Sequence, residues 1–181
     1  MRLSIFIKQN MELILQEWED FARIIQPVHR TMDVIELRDH AEEMLCEIAD
    51  DLERPRTERE RIERSQGRNA PVHDGQSPAQ IHANLRLRSG FTIDQLVAEY
   101  RALRTSVLHL WFQCSKIVNW LEIEDIMRFN DAVDQALNES VVQYSKMERQ
   151  AQDIFIGILG HDIRTPLNAI SIGAEMLMRT E

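Results

Sequence analysis

One run of the sequence carries residue types suited to group transfer: Phe155-Ile156-Gly157-Ile158-Leu159-Gly160-His161-Asp162-Ile163-Arg164-Thr165-Pro166-Leu167. Phosphoryl transfer to a protein needs an exposed nucleophile, a neighbour that tunes it and freedom from burial, and a helix supplies all three by angle. At about 100° per residue, Phe155, Leu159, Ile163, Leu167, Ile170, Ala174 and Leu177 fall within one arc roughly 120° wide, with His161 about 180° from its centre. The imidazole is therefore expected to face outward. Thr165 shares its face one turn on, and Asp162 stands where a carboxylate can hydrogen-bond the ring and leave one nitrogen to attack. Pro166 removes an N–H from the helix interior and is expected to bend it just beyond the histidine.

Such a site needs a long helix to carry it. After Asn119 the only breakers are Gly157, Gly160, Pro166 and Gly173. Ile126, Phe129, Val133, Ala136 and Ser140 alternate by three and four, and Tyr144, Met147, Ala151 and Ile154 resume the alternation after one extra step of four. A heptad seam with an inserted four is a coiled coil with a stutter. The expectation is one long helix paired in parallel with a copy of itself, burying Phe129, Val133, Met147, Ala151 and Leu159. The alternative is an amphipathic helix folded back on the globule.

Upstream, Phe6, Leu13, Ile14, Trp18, Phe21, Ala22 and Ile25 predict a helix from Leu3 to Ile25, with Pro27 as its stop. A second follows through Leu37, Ala41, Met44, Leu45, Ile48 and Leu52, ending before Pro55. Residues 50–64 hold six acids and five arginines in alternation, which reads as a solvated helix end or linker laced with ion pairs. Residues 65–78 concentrate two glycines and two prolines and read as the longest loop, the best candidate for disorder. Ser77-Pro78 starts a helix that Gly90 ends. Thr92 and Gln95 have capping-box spacing, and the helix they open carries Leu96, Val97, Tyr100, Leu103, Val107, Leu110, Trp111 and Cys114, which makes it the most buried element. Trp18, Phe21, Trp111, Phe112 and Trp120 read as core.

Charge and composition exclude several classes. The 181 residues hold 30 acidic and 21 basic side chains, a balance of 21 − 30 = −9, which argues against a nucleic-acid binder. Six glycines and five prolines are about half of average usage, so long helices are expected. Cys46 and Cys114 sit in apolar helical patterns without ligand spacing and read as buried thiols of a reducing compartment. No run is apolar enough to span a membrane, and MRLSIFI is too short for a signal peptide, so the expected location is the cytoplasm.

The pattern F-x-x-x-x-G-H-D-I-R-T-P-L resembles the H-box of the dimerization and phosphotransfer domain of sensor histidine kinases, matching it at Phe155, His161, Asp162, Arg164, Thr165, Pro166 and Leu167. Gly160 stands where serine is more usual. The resemblance implies that His161 is the phospho-acceptor, Asp162 its hydrogen-bonding partner and general base, and Thr165 the residue that positions water when a response regulator is dephosphorylated. It further implies a homodimer through the long helix, a response regulator as partner, and a separate catalytic domain holding ATP and magnesium. No glycine cluster here could cradle ATP phosphates, so no cofactor is expected in this stretch, which reads as a sensor plus first phosphotransfer helix of a longer, ATP-dependent kinase, inactive by itself.

Further upstream, His82, Arg86, Gly90-Phe91, Gln95-Leu96-Val97 and Glu99-Tyr100-Arg101-Ala102-Leu103-Arg104 resemble the N-terminal domain of stressosome scaffold proteins of the RsbR type, over Met1 to about Tyr144. That resemblance implies an all-helical, globin-like, dimeric domain that does not bind haem. On their own, Glu99, Arg101 and Arg104 read as a solvated or ion-paired face. The fold expected is all-α: a globin-like sensor domain over 1–120, a coiled-coil signalling helix over 121–150 whose first part can pack on the sensor, and a truncated phosphotransfer region over 151–181. Alternatives are a non-catalytic stressosome-like scaffold, and a haem- or gas-binding module with His29, His40, His82 or His109 as axial ligand. His109, in the middle of the central helix, is the foremost of these four.

Overall fold

The computed structural model describes residues 1–25, 34–65, 75–114 and 119–178. Seven α-helices and no strand lie among them: α1 (Leu3–Gln9), α2 (Met11–Ile24), α3 (Val34–Glu53), α4 (Glu58–Ser65), α5 (Pro78–Arg88), α6 (Ile93–Cys114) and α7 (Trp120–Met178). The chain is all-α, with a long C-terminal helix. It forms two compact units, Met1–Tyr144 and Ser145–Glu181. His29, Pro27 and most of the 65–78 loop lie outside the described residues.

Most helix starts are written locally. Ser77 accepts from the Gln80 N–H while Gln80 Oε1 accepts from the Ser77 N–H, and Pro78 occupies the first position, so α5 begins with a complete capping box. Thr92 and Gln95 repeat it at α6, and Asn119 and Glu122 do the same at α7. The continuous helix expected from Leu3 to Ile25 is broken instead at Asn10. There the backbone leaves helical geometry, with φ −121° and ψ 24°, and the Phe6 carbonyl accepts from both the Asn10 N–H and its carboxamide Nδ2, each at 2.9 Å.

The core of the first unit is built from Leu3, Phe6 and Ile7 of α1, Ile14, Trp18 and Ala22 of α2, Met44, Leu45 and Ile48 of α3, Leu96, Tyr100, Leu103 and Trp111 of α6, and Phe129 and Val133 of α7. The expected seam is corrected here. Phe129 and Val133 are fully buried within their own chain, so they are closed to a second copy, and the start of α7 is a packing helix of the first unit. A three-four alternation serves a coiled-coil seam and a helix laid on its own core equally well.

Other expectations are corrected too. Cys46 and Cys114 are exposed, because Cys46 falls between the inward positions Leu45 and Ile48 and shares its face with Glu42 and Asp50. Partial desolvation by its neighbours and those two carboxylates push the Cys46 thiol above its ordinary value. Phe112 and Trp120 are exposed rather than core. Ion pairs do lace the 50–64 region: Lys8 Nζ reaches Asp50 at 2.8 Å and Glu53 at 2.9 Å, and Arg59 pairs with Glu63 at 2.8 Å. No helix among the described residues is long and apolar enough to cross a membrane.

Candidate functional site

Within the second unit, His161 and Asp162 lie on α7 with side chains 82% and 70% exposed. Nδ1 of His161 stands 3.4 Å from Oδ1 of Asp162. With Nδ1 donating to the carboxylate, the lone pair resides on Nε2, which is the tautomer a nucleophilic imidazole needs. The side chain of Thr165 lies outside the described residues. Phe155, Leu159, Ile163, Leu167 and Ile170 are all exposed, so the arc that the spacing makes apolar is bare in the single chain. A contiguous apolar stripe of this length on a water-facing helix marks a surface that associates. α7 continues through Pro166 to Met178.

The first unit holds a second constellation, built from the residues of the upstream resemblance but arranged in a way that spacing alone does not show. Glu99 is 1% exposed, and so are His82 and Arg86. Arg86 Nε donates to Glu99 Oε1 at 2.9 Å and Oε2 at 2.8 Å, and His82 Nε2 donates to Oε2 at 3.0 Å. The guanidinium carbon lies 5.0 Å from the Phe91 ring centre and 5.9 Å from that of Trp18, which covers the cation with π faces. Trp18 Nε1 donates to the Glu99 carbonyl at 3.1 Å, and His82 meets Tyr100 edge to face at 5.9 Å. Of the two readings of Glu99, the ion-paired one holds, with Arg86 as its partner, and the solvated one does not, since both are buried. Arg101 is exposed, and Arg104 pairs with Asp134.

Burial and the Arg86 charge push His82 below its ordinary value against the pull of Glu99, so the ring is neutral at neutral pH. Burial alone would raise Glu99, but its bonds to His82 and Arg86 prevail and hold the carboxyl below the usual range. Both shifts make the unit acid-sensitive. An unfolded histidine takes up its proton as pH falls through its ordinary value of 6.5 while the buried one does not, so stability drops from there downward, and drops further below 4.5 where an unfolded Glu99 protonates. We expect the urea midpoint of the wild type to fall between pH 7.5 and 5.5 and His82→Gln to flatten that limb; equal slopes would show that other groups dominate it.

The remaining candidate axial ligands are scattered. His109 is exposed on α6, near Glu17 and Gln113, and His40 Nδ1 lies 3.2 Å from Glu43 on α3. His82 has its Nε2 engaged by Glu99. Among the described residues no group of His, Cys, Asp and Glu is arranged to hold a metal ion. No family model, curated protein or solved structure matches the chain.

Proposed function

We propose that the chain is the sensor and phospho-acceptor portion of a two-component sensor histidine kinase, with His161 as the acceptor. The observation that carries the reading is an exposed His-Asp pair on a helix whose other side is a bare apolar stripe. Cover for that stripe is supplied by a second copy in parallel, giving a homodimer, and the exposed imidazole remains open to a catalytic domain on one visit and a response regulator on another. In the forward step Nε2 of His161 attacks the γ-phosphorus of ATP, the bond to the ADP oxygen breaks, and the Nδ1 proton is held by Asp162; ATP and magnesium belong to the separate catalytic domain that the resemblance implies. A regulator aspartate then takes the phosphoryl group from the imidazole. Thr165 is assigned to orient water in the reverse, dephosphorylating role.

The first unit is the sensor in this reading, globin-like in its helical class and related in character to stressosome scaffold domains. Support for it is the convergence of the residues that carry that resemblance, His82, Arg86, Phe91, Glu99 and Tyr100, on one buried centre.

The test is labelling of the full natural protein with γ-phosphate-labelled ATP. We expect acid-labile label to vanish in His161→Gln, to persist in His82→Gln, and to fall by about 10²-fold or more in Asp162→Asn, the scale of a lost general base. Persistent label in His161→Gln would overturn the assignment.

A further inference from the structure

Where α7 leaves the first unit, its contacts change character. Phe129, Ala132 and Val133 meet the core through carbon, which is non-directional, while Asp125 accepts from the Leu3 N–H at 2.9 Å and Arg128 donates to the Asp51 and Arg54 carbonyls, which ties this stretch to α1 and the end of α3. Over the next turns the polar contacts move to α5, the α5–α6 turn and Tyr100 of α6. Ser77 Oγ donates to Glu139 at 2.6 Å, and Gln143 Nε2 donates to Asn84 Oδ1 at 2.8 Å. Ser140, fully buried, donates to the Ala79 carbonyl at 2.6 Å and accepts from the Tyr100 hydroxyl at 2.7 Å. Tyr144 donates to the Phe91 carbonyl at 2.9 Å. Within a span of six residues, four residues of the helix make these five directional ties, the last of them at the final residue of the unit.

Hydrogen bonds of this kind define one rotation and one register. Turning α7 by a single residue would carry Ser140 and Tyr144 away from their carbonyls and leave buried polar atoms without partners, so intermediate settings are disfavoured and the contact is closed or open. Its anchor points are also those of the charge cluster. Arg86 covers the Phe91 ring and its carbonyl accepts from the Phe91 N–H at 2.9 Å, while the Phe91 carbonyl holds Tyr144. Glu99 adjoins Tyr100, which holds Ser140, and His82 packs its ring against Tyr100.

We propose that residues 139–144 form a polar clasp that sets the register of α7 on α5, opening without unfolding of the first unit, and that the buried His82–Glu99–Arg86 cluster governs its closure through Phe91 and Tyr100. This deepens the sensor reading, since the clasp is the point where a change in the helical unit passes to the helix that bears His161. The tests need no ATP, so the clasp and the kinase assignment fail independently.

The chain has two tyrosines, Tyr100 and Tyr144, and both belong to the clasp. Protein labelled with [13Cζ]tyrosine therefore gives two resonances that report on it alone. We expect Ser140→Ala to shift both, and His82→Leu, which leaves the Arg86–Glu99 pair in place, to shift the Tyr144 resonance by more than its linewidth; His82→Gln, which restores a donor at the Nε2 position, returns it. Glu99→Gln is the second variant, with the same shift expected. Ser140→Ala combined with Tyr144→Phe should speed trypsin cleavage after Lys146 on the order of tenfold while helical circular dichroism and a single unfolding transition are retained, the mark of local opening. A Tyr144 resonance unmoved in His82→Leu and Glu99→Gln, or cleavage of the double variant at the parental rate, overturns the proposal.

Discussion

Glu99→Ala is expected to destabilise the first unit by about 3–5 kcal/mol, the usual result of removing one member of a buried charge pair. Glu99 accepts both short contacts from Arg86 Nε and the His82 bond, all at 1% exposure, so the substitution leaves a buried guanidinium without its carboxylate and a ring N–H without its acceptor. Domains of this size are stable by only about 5–15 kcal/mol, so the variant should unfold at markedly lower urea with a slope close to that of the wild type. The Trp18 bond to the Glu99 backbone carbonyl is untouched by the change, and tryptophan fluorescence of the folded fraction should stay near that of the parent. A loss under about 1 kcal/mol, the range of an ordinary neutral hydrogen bond, would show that the pair is not the main electrostatic anchor of α5 on α6.

The second large effect separates the two parts of α7. Phe129→Ala should cost about 3–5 kcal/mol in unfolding of the first unit, as for other buried aromatic truncations, and leave the association state unchanged. Leu159→Asp should do the reverse: within about 0.5 kcal/mol of the parent in that unfolding, as for an exposed position, but with self-association at micromolar concentration abolished. Sedimentation and urea titration of the same two proteins check both halves. If Phe129→Ala dissociates the protein while leaving its unfolding unaltered, Phe129 belongs to a seam between copies after all, and the core described above is wrong.

Those two residues also show what the sequence could and could not disclose. Helix starts were legible because a cap is a local event: Ser77 with Gln80 and Thr92 with Gln95 contain donor and acceptor within four residues, and both form as read. The long helix that carries His161 was legible because breakers are local and this stretch has few of them. Phe129 and Val133 were not assigned correctly because their period states that one side of the helix is covered without saying by what. The burial of Glu99 was hidden for a related reason. A charge followed by Tyr100 and Arg101 gives no sign of burial until another helix brings Arg86 and His82 to it, and that meeting is tertiary. Asn10 was misread because a single side chain contacting the Phe6 carbonyl leaves no mark on hydrophobic periodicity.

The closeness in sequence of the buried charges has its own kinetic consequence. His82 and Glu99 are separated by 17 residues and Arg86 and Glu99 by 13, all within the α5–α6 hairpin. Loops of that size close in well under a microsecond, long before a chain of this length collapses around them. Arginine, histidine and glutamate can therefore find one another while still in water, and the hairpin enters the forming core already neutralised. None of these three has to enter an apolar interior as a lone ion, and the slowest part of assembly is left to the meeting of α1 with α7, whose partners Leu3 and Asp125 stand 122 residues apart.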